Sequence, residues 1–215
     1  MRQASERKHG GARCPHAVYR DVLGPRTVAG LLEFVTEHEA DFEHGVAYDR
    51  QTQERKVDPS RRDCLRLPWL GPFEAPLDRA VRALVPTALA DLHLHEPGGE
   101  PREYEIATYG DGGHFNVHID LLENLERVRI LSCVYYFAAT PRRFSGGELR
   151  LYGLPSRSEA ENAEPPFVDV VPETDTLVVF PSWMRHEVLT VRVPSGAWAD
   201  RRFAINCWVH RVQTH

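Results

Sequence analysis

Cysteine is scarce: Cys14, Cys64, Cys133 and Cys207 stand 50 or more positions apart in 215 residues and form no CxxC pair. That spacing excludes a zinc knuckle and a dense disulfide framework, and makes reduced, cytosolic thiols the expectation. Long apolar runs are missing too, none reaching the roughly 18 residues of a transmembrane helix, and Met1 to Gly11 is polar, without the apolar centre of a signal peptide. A soluble, cytoplasmic protein without a membrane partner is expected, with residues 1–15 as a disordered leader. Basic charge is also short: 26 Lys+Arg against 31 Asp+Glu give a formal charge of −5. This balance argues against nucleic acid as a partner, because affinity for phosphate depends on a basic surface. No internal repeat or low-complexity tract is visible.

What is present is an ordinary globular mix, 42% hydrophobic and 27% charged, with 11 histidines. The length fits one domain of 16–215 with a helical part at 16–100 and a β core at 101–212. Between Arg26 and His44 the apolar positions Val28, Leu31, Leu32, Phe34 and Val35 recur at helical spacing, with Gly45 as a stop. A second helix is expected from Pro76 to Leu94, kinked or broken at Pro86. Between them, residues 49–66 carry six basic and four acidic side chains and read as a polar lid or binding loop. Its arginines, Arg61 and Arg62 among them, hint at a substrate bearing a carboxylate.

From Glu103 the period changes to two. Strands are expected at Glu103 to Tyr109, His114 to Ile119, Val128 to Phe137, Glu148 to Tyr152, Phe167 to Val171, Thr176 to Phe180, Glu187 to Val193 and Arg202 to His210. So many short strands after two helices predict a mainly β protein of the α+β class, a jelly roll with N-terminal helices packed outside. The acidic stretch 155–166 carries no recognisable chemistry.

His118 and Asp120 are two apart at the end of a predicted strand, so both side chains leave the same face. His186 opens a later strand 66 positions after Asp120, and Arg202 opens the last one. Two histidines and one carboxylate on one face of an octahedron, the other positions open, form the ligand set of non-haem Fe(II) oxygenases. Arginine at the mouth of a strand offers a planar fork for a carboxylate.

Five stretches stand in order: Tyr109-Gly-Asp-Gly-Gly-His-Phe-Asn-Val-His118-Ile-Asp120; Ser132-Cys-Val-Tyr-Tyr-Phe137; Ser145-Gly-Gly-Glu-Leu149; Phe180-Pro-Ser182 with His186-Glu-Val188; and Arg202-Phe-Ala-Ile-Asn-Cys-Trp208. Together, over about half of the chain, they resemble the prolyl 4-hydroxylase-type Fe(II)/2-oxoglutarate dioxygenases. The resemblance implies a double-stranded β-helix (cupin-like jelly roll), Fe(II), 2-oxoglutarate and O2, with ascorbate as reductant. It makes His118, Asp120 and His186 the iron ligands, Arg202 the partner of the distal 2-oxoglutarate carboxylate, Tyr136 a second contact to it, Tyr109 a lining residue and Trp208 a wall. The link from His186 to Arg202 is longer than in that family, which makes Arg201 a rival. Strand alternation, placing Arg202, Ala204, Asn206 and Trp208 on one face, favours Arg202. His114 shares the face of His118. Cys133 and Cys207 fall on the opposite faces and read as core. The activity implied is hydroxylation of an unactivated C–H with release of succinate and CO2, since related halogenases lack the carboxylate that Asp120 supplies. Substrates in view are a prolyl or other amino-acid or peptide residue, or a small natural-product intermediate; a binding module without turnover is the remaining alternative. Repair of alkylated bases fits poorly, because Trp208 stands where those enzymes carry a second arginine.

Overall fold

The computed structural model describes residues 14–49, 54–120, 128–154 and 165–212. The expected leader, except its last two residues, and 155–164 of the acidic stretch lie outside the described residues. The N-terminal part runs β1 (Ala17–Arg20), α1 (Pro25–Glu37), β2 (Glu43–His44), β3 (Val46–Asp49), β4 (Glu54–Val57), β5 (Arg62–Asp63), β6 (Leu65–Leu67) and α2 (Glu74–Asp91). The remainder is strand: β7 (Gly99–Tyr109), β8 (His114–His118), β9 (Arg129–Phe137), β10 (Ser145–Gly146), β11 (Leu149–Tyr152), β12 (Phe167–Val170), β13 (Thr176–Pro181), β14 (His186–Val188), β15 (Val191–Arg192) and β16 (Arg202–Arg211).

Two antiparallel sheets face each other. The larger has the order β1-β13-β9-β16-β7-β6-β2 and the smaller β12-β11-β14-β8-β5. Side chains alternate across each strand, so the larger sheet has two buried faces. Leu131, Cys133, Tyr135 and Phe137 of β9 and Phe203, Ile205, Cys207 and Val209 of β16 pack with α1 and α2. Val134, Tyr136 and Ala204 point the other way, against Leu149 and Leu151 of the smaller sheet. This is the double-stranded β-helix with helices outside that the sequence predicts, and Cys133 and Cys207 lie on the helix side.

Several expectations are corrected. The first helix ends at Glu37, not at His44: His38 closes it, its N–H bonding to Phe34 O, and its ring meets Asp41 2.7 Å away as the chain tightens into a 3₁₀ turn at Glu39–Asp41. The chain then enters β2, so Gly45 ends no helix. The second helix runs unbroken through Pro86. Pro86 lies on the exposed face, where water can bond the carbonyl freed one turn earlier, while Leu77, Val81, Val85 and Leu89 hold the opposite face in the core. Residues 49–66 are not one loop: β4, β5 and part of β6 fall there, with 50–53 outside the described residues. The strand expected at Glu187 to Val193 is divided into β14 and β15.

Asp175 joins the helical layer to the sheets. Its carboxylate accepts the N–H groups of Leu23 (2.8 Å) and Gly24 (2.9 Å) at the entrance to α1, and the Tyr135 hydroxyl (2.8 Å) from β9. Gly24 has φ +81°, and Pro25 at the first helical position needs no N–H partner. Asp175→Ala would strand these donors, so urea denaturation should show a loss of about 1–3 kcal/mol. An unchanged midpoint would remove Asp175 as the link.

Candidate metal centre

The sheet register creates the site. His186, the first residue of β14, lies directly opposite His118, the last of β8. Their rings face each other at 4.1 Å between centroids, backed by Phe115 stacked on His118 at 3.6 Å and Phe180 on edge to His186 at 4.8 Å. Asp120 follows β8, and its N–H donates to Ser182 O at 3.1 Å, so the segments beyond the two strands hold each other. One ligand atom from each of His118, Asp120 and His186 falls within 4.8 Å of the others. The Nε2 atoms of His118 and His186 stand 3.7 and 3.5 Å from the Asp120 carboxylate oxygens.

Each imidazole has its other nitrogen committed. Nδ1 of His118 donates to Asn116 O and Nδ1 of His186 to Met184 O, both at 2.9 Å. A carbonyl can only accept, so the proton sits on Nδ1 and the Nε2 lone pairs converge on Asp120. Asp120 accepts from Ser132 Oγ at 2.7 Å, and the Trp208 indole N–H also favours its charged form; Ser132 and Trp208 are cross-strand partners on β9 and β16, and Ser182 Oγ is 3.1 Å from Ser132 Oγ.

Burial, reinforced by the neighbouring His186, pushes the His118 pKa down to about 3. Burial would raise the Asp120 pKa, but the two imidazoles and the bonds from Trp208 and Ser132 outweigh it and bring it to about 2. A neutral His118 and a charged Asp120 at neutral pH suit a divalent cation of borderline softness.

A second feature lies along β16. Arg202 is 1% exposed. Its Nε donates to Gly147 O at 2.7 Å, and its guanidinium lies over the rings of Tyr109 and Tyr136, 5.0 Å from each centroid. Tyr109 is its cross-strand neighbour on β7, and Tyr136 pairs with Ala204 on β9. Arg202 Nη2 and Tyr136 Oη are buried without a hydrogen bond of good geometry. Burial raises the pKa of both phenols above the usual range, so neither supplies a counter-charge. A buried guanidinium faced by a carbonyl and two aromatic rings fits an anionic guest with carboxylate acceptors, as the distal end of 2-oxoglutarate would offer. Gly147 makes this packing possible: it has φ +70°, and a Cβ there would come within 2.6 Å of Arg202 Cδ.

Arg201 is placed elsewhere, its guanidinium over Trp198 at 4.7 Å. His114 is tied to the backbone of Gly112 and Ser60, not to the triad. Arg62 is no free substrate cation: it is buried, donates to Glu105 at 2.8 Å and lies over Phe115. The sequence reading does not single out Ser132, Ser182 or Gly147 as parts of the site, and it takes Trp208 as a wall without its influence on the Asp120 carboxylate. A signal for Ser132 exists in the period-two face it shares with Tyr136.

Comparison with known proteins places the chain. The sequence profile of the 2OG-Fe(II) oxygenase superfamily matches residues 104–210. A PKHD-type hydroxylase of Synechocystis sp., itself uncharacterised, is 30% identical over 131 residues, 61% of this chain and 43% of that protein, so the chain spans less than half of its relative. Among solved structures, a prolyl-4-hydroxylase of Pseudomonas putida aligns with TM-score 0.59 at 19% identity, covering 93% of this chain and 94% of that one. A prolyl hydroxylase of Trichoplax adhaerens, in complex with a hypoxia inducible factor peptide fragment, aligns at 0.62 and 19%, covering 92% and 84%. The 2-oxoglutarate-dependent epimerase SnoN of nogalamycin biosynthesis aligns at 0.62 and 12%, covering 93% and 79%. These structures share the fold. The chain belongs to the 2OG-Fe(II) oxygenase superfamily, whose chemistry uses Fe(II), 2-oxoglutarate and O2.

Proposed function

We propose that the protein hydroxylates an unactivated C–H, with His118, Asp120 and His186 holding Fe(II), Arg202 and Tyr136 gripping the distal carboxylate of 2-oxoglutarate, and Tyr109 lining its pocket. The observation that carries this is the buried Arg202 guanidinium, with no carboxylate partner among the described residues, enclosed by the same two sheets that present the three convergent ligand atoms. Bound there, Fe(II) and 2-oxoglutarate would supply the O2 activation, with succinate and CO2 released. The chain's own part is positional. His118 and His186 keep their lone pairs aimed through the Nδ1 bonds, Asp120 brings the negative charge, and Arg202 fixes the cosubstrate's far end while the packed aromatic rings exclude water.

For the substrate, a prolyl or other residue of a peptide or amino acid is the first reading, supported by the prolyl hydroxylases among the similar structures. A small natural-product intermediate is the second, favoured by the likeness to SnoN. Screening free amino acids, prolyl peptides and such intermediates for succinate release coupled to a product heavier by one oxygen atom separates them. No succinate release with any of them would favour a binding module instead.

Asp120→Ala is expected to abolish succinate formation, and unchanged turnover would remove it as a ligand. Arg202→Met should raise the KM for 2-oxoglutarate by roughly 30-fold or more, the effect of losing a buried charged partner. An unaltered KM would place the cosubstrate elsewhere.

A further inference from the structure

The edge of the site contains a strained residue that the hydroxylation chemistry does not itself require. β16 and β7 lose register between Cys207 and Trp208: Cys207 faces Tyr104 and Trp208 faces Arg102, so Glu103 is an extra, bulged residue. Its φ is +56°, a left-handed conformation uncommon for a residue with a side chain. Bulges of this kind re-aim side chains next to active sites.

Oε2 of Glu103 pairs with Nη2 of Arg129, and Oε1 lies 2.9 Å from Nε2 of the buried His210. Arg129, 7% exposed at the start of β9, makes two contacts that converge on Asp120. Its guanidinium lies over the Trp208 indole, 4.0 Å from the ring centroid, its Nη1 donates to the main-chain oxygen of Asp120 at 3.3 Å, and the Trp208 indole N–H acts on the Asp120 carboxylate to lower its pKa. Arg129 Nε has no partner. Glu103 is therefore the carboxylate that anchors this buried cation.

We propose that Arg129, clamped by the bulged Glu103, is a positioning residue: it fixes the Trp208 ring and the Asp120 backbone together, and so sets the orientation in which the Asp120 carboxylate meets a metal. The inference rests on the reading of His118, Asp120 and His186 as metal ligands. Two elements are coupled here. The bulge shifts Trp208 relative to β7, and the ion pair it creates holds the ring that Trp208 presents to Asp120. Partners behind a ligand commonly change metal affinity by 10–100-fold when removed.

Two readouts test this without turnover. In the metal-free protein, the indole N–H resonance of Trp208, assigned by its loss in Trp208→Phe, reports the placing of the ring under Arg129 and beside Asp120. Mn(II) binding, followed by the electron paramagnetic resonance of the free ion, reports the carboxylate's orientation. Arg129→Lys keeps the charge and loses the flat face; Glu103→Gln keeps the shape and loses the charge. Both are expected to shift the indole resonance and to weaken Mn(II) binding by about tenfold while retaining a cooperative thermal transition. Should Arg129→Lys fail to fold, Glu103→Gln decides by itself. An unshifted resonance with unchanged Mn(II) affinity would overturn the proposal. Asp120→Ala separates the two levels: Mn(II) binding that survives it would remove the triad as a metal site, and this inference with it. Binding lost in Asp120→Ala but intact in Arg129→Lys and Glu103→Gln would overturn the positioning role alone.

Discussion

β16 is bonded along both edges, to β7 and to β9, and so has no freedom to rotate about its axis. Its alternation therefore divides the molecule. Phe203, Ile205, Cys207 and Val209 are committed to the helices, and Arg202, Ala204, Asn206 and Trp208 to the space between the sheets. A slip of one residue would send Arg202 into the apolar layer and Phe203 into the pocket. Burial of about a dozen aliphatic and aromatic side chains on the helix side holds the register, since each is worth about 1.5–3 kcal/mol when fully buried. The chemistry on one face is thus secured by packing on the other.

The same frame makes a place for charges that would otherwise be costly. Asp120 stays ionised in its largely enclosed setting, where the Ser132 hydroxyl donates to its carboxylate and the Trp208 indole also favours the charged form. Arg62 is balanced by Glu105, which also accepts from Asn206 at 3.1 Å. Arg202 differs from both: it has a carbonyl and two rings but, among the described residues, no carboxylate. The cost of burying it is borne by the packed sheets and offset when an anion arrives.

Much of the site was legible in the sequence because its side chains belong to fixed offsets on strands. His118 and Asp120 share a face through period-two spacing, and the alternation along β16 singled out Arg202 over Arg201. The fold class followed from the change of period at Glu103. What escaped lies where local pattern carries no signal. The short pairings at 43–44, 54–57 and 62–63 are made by polar residues at or near sheet edges, so the stretch reads as loop. The end of α1 depends on His38 and Asp41 meeting, and the continuity of α2 through Pro86 on which face water reaches. Ser182, Ser132 and Trp208 come together on Asp120 only through long-range register, which no single segment records.

Anaerobic titration of the folded protein with Fe(II) and 2-oxoglutarate, followed in the visible range, tests most directly whether one pocket takes a metal at the triad and an anion at Arg202 together. A weak charge-transfer band that develops only when both are present, and saturates at one equivalent of each, is the expected result. No band from a folded, cooperatively melting protein would contradict it.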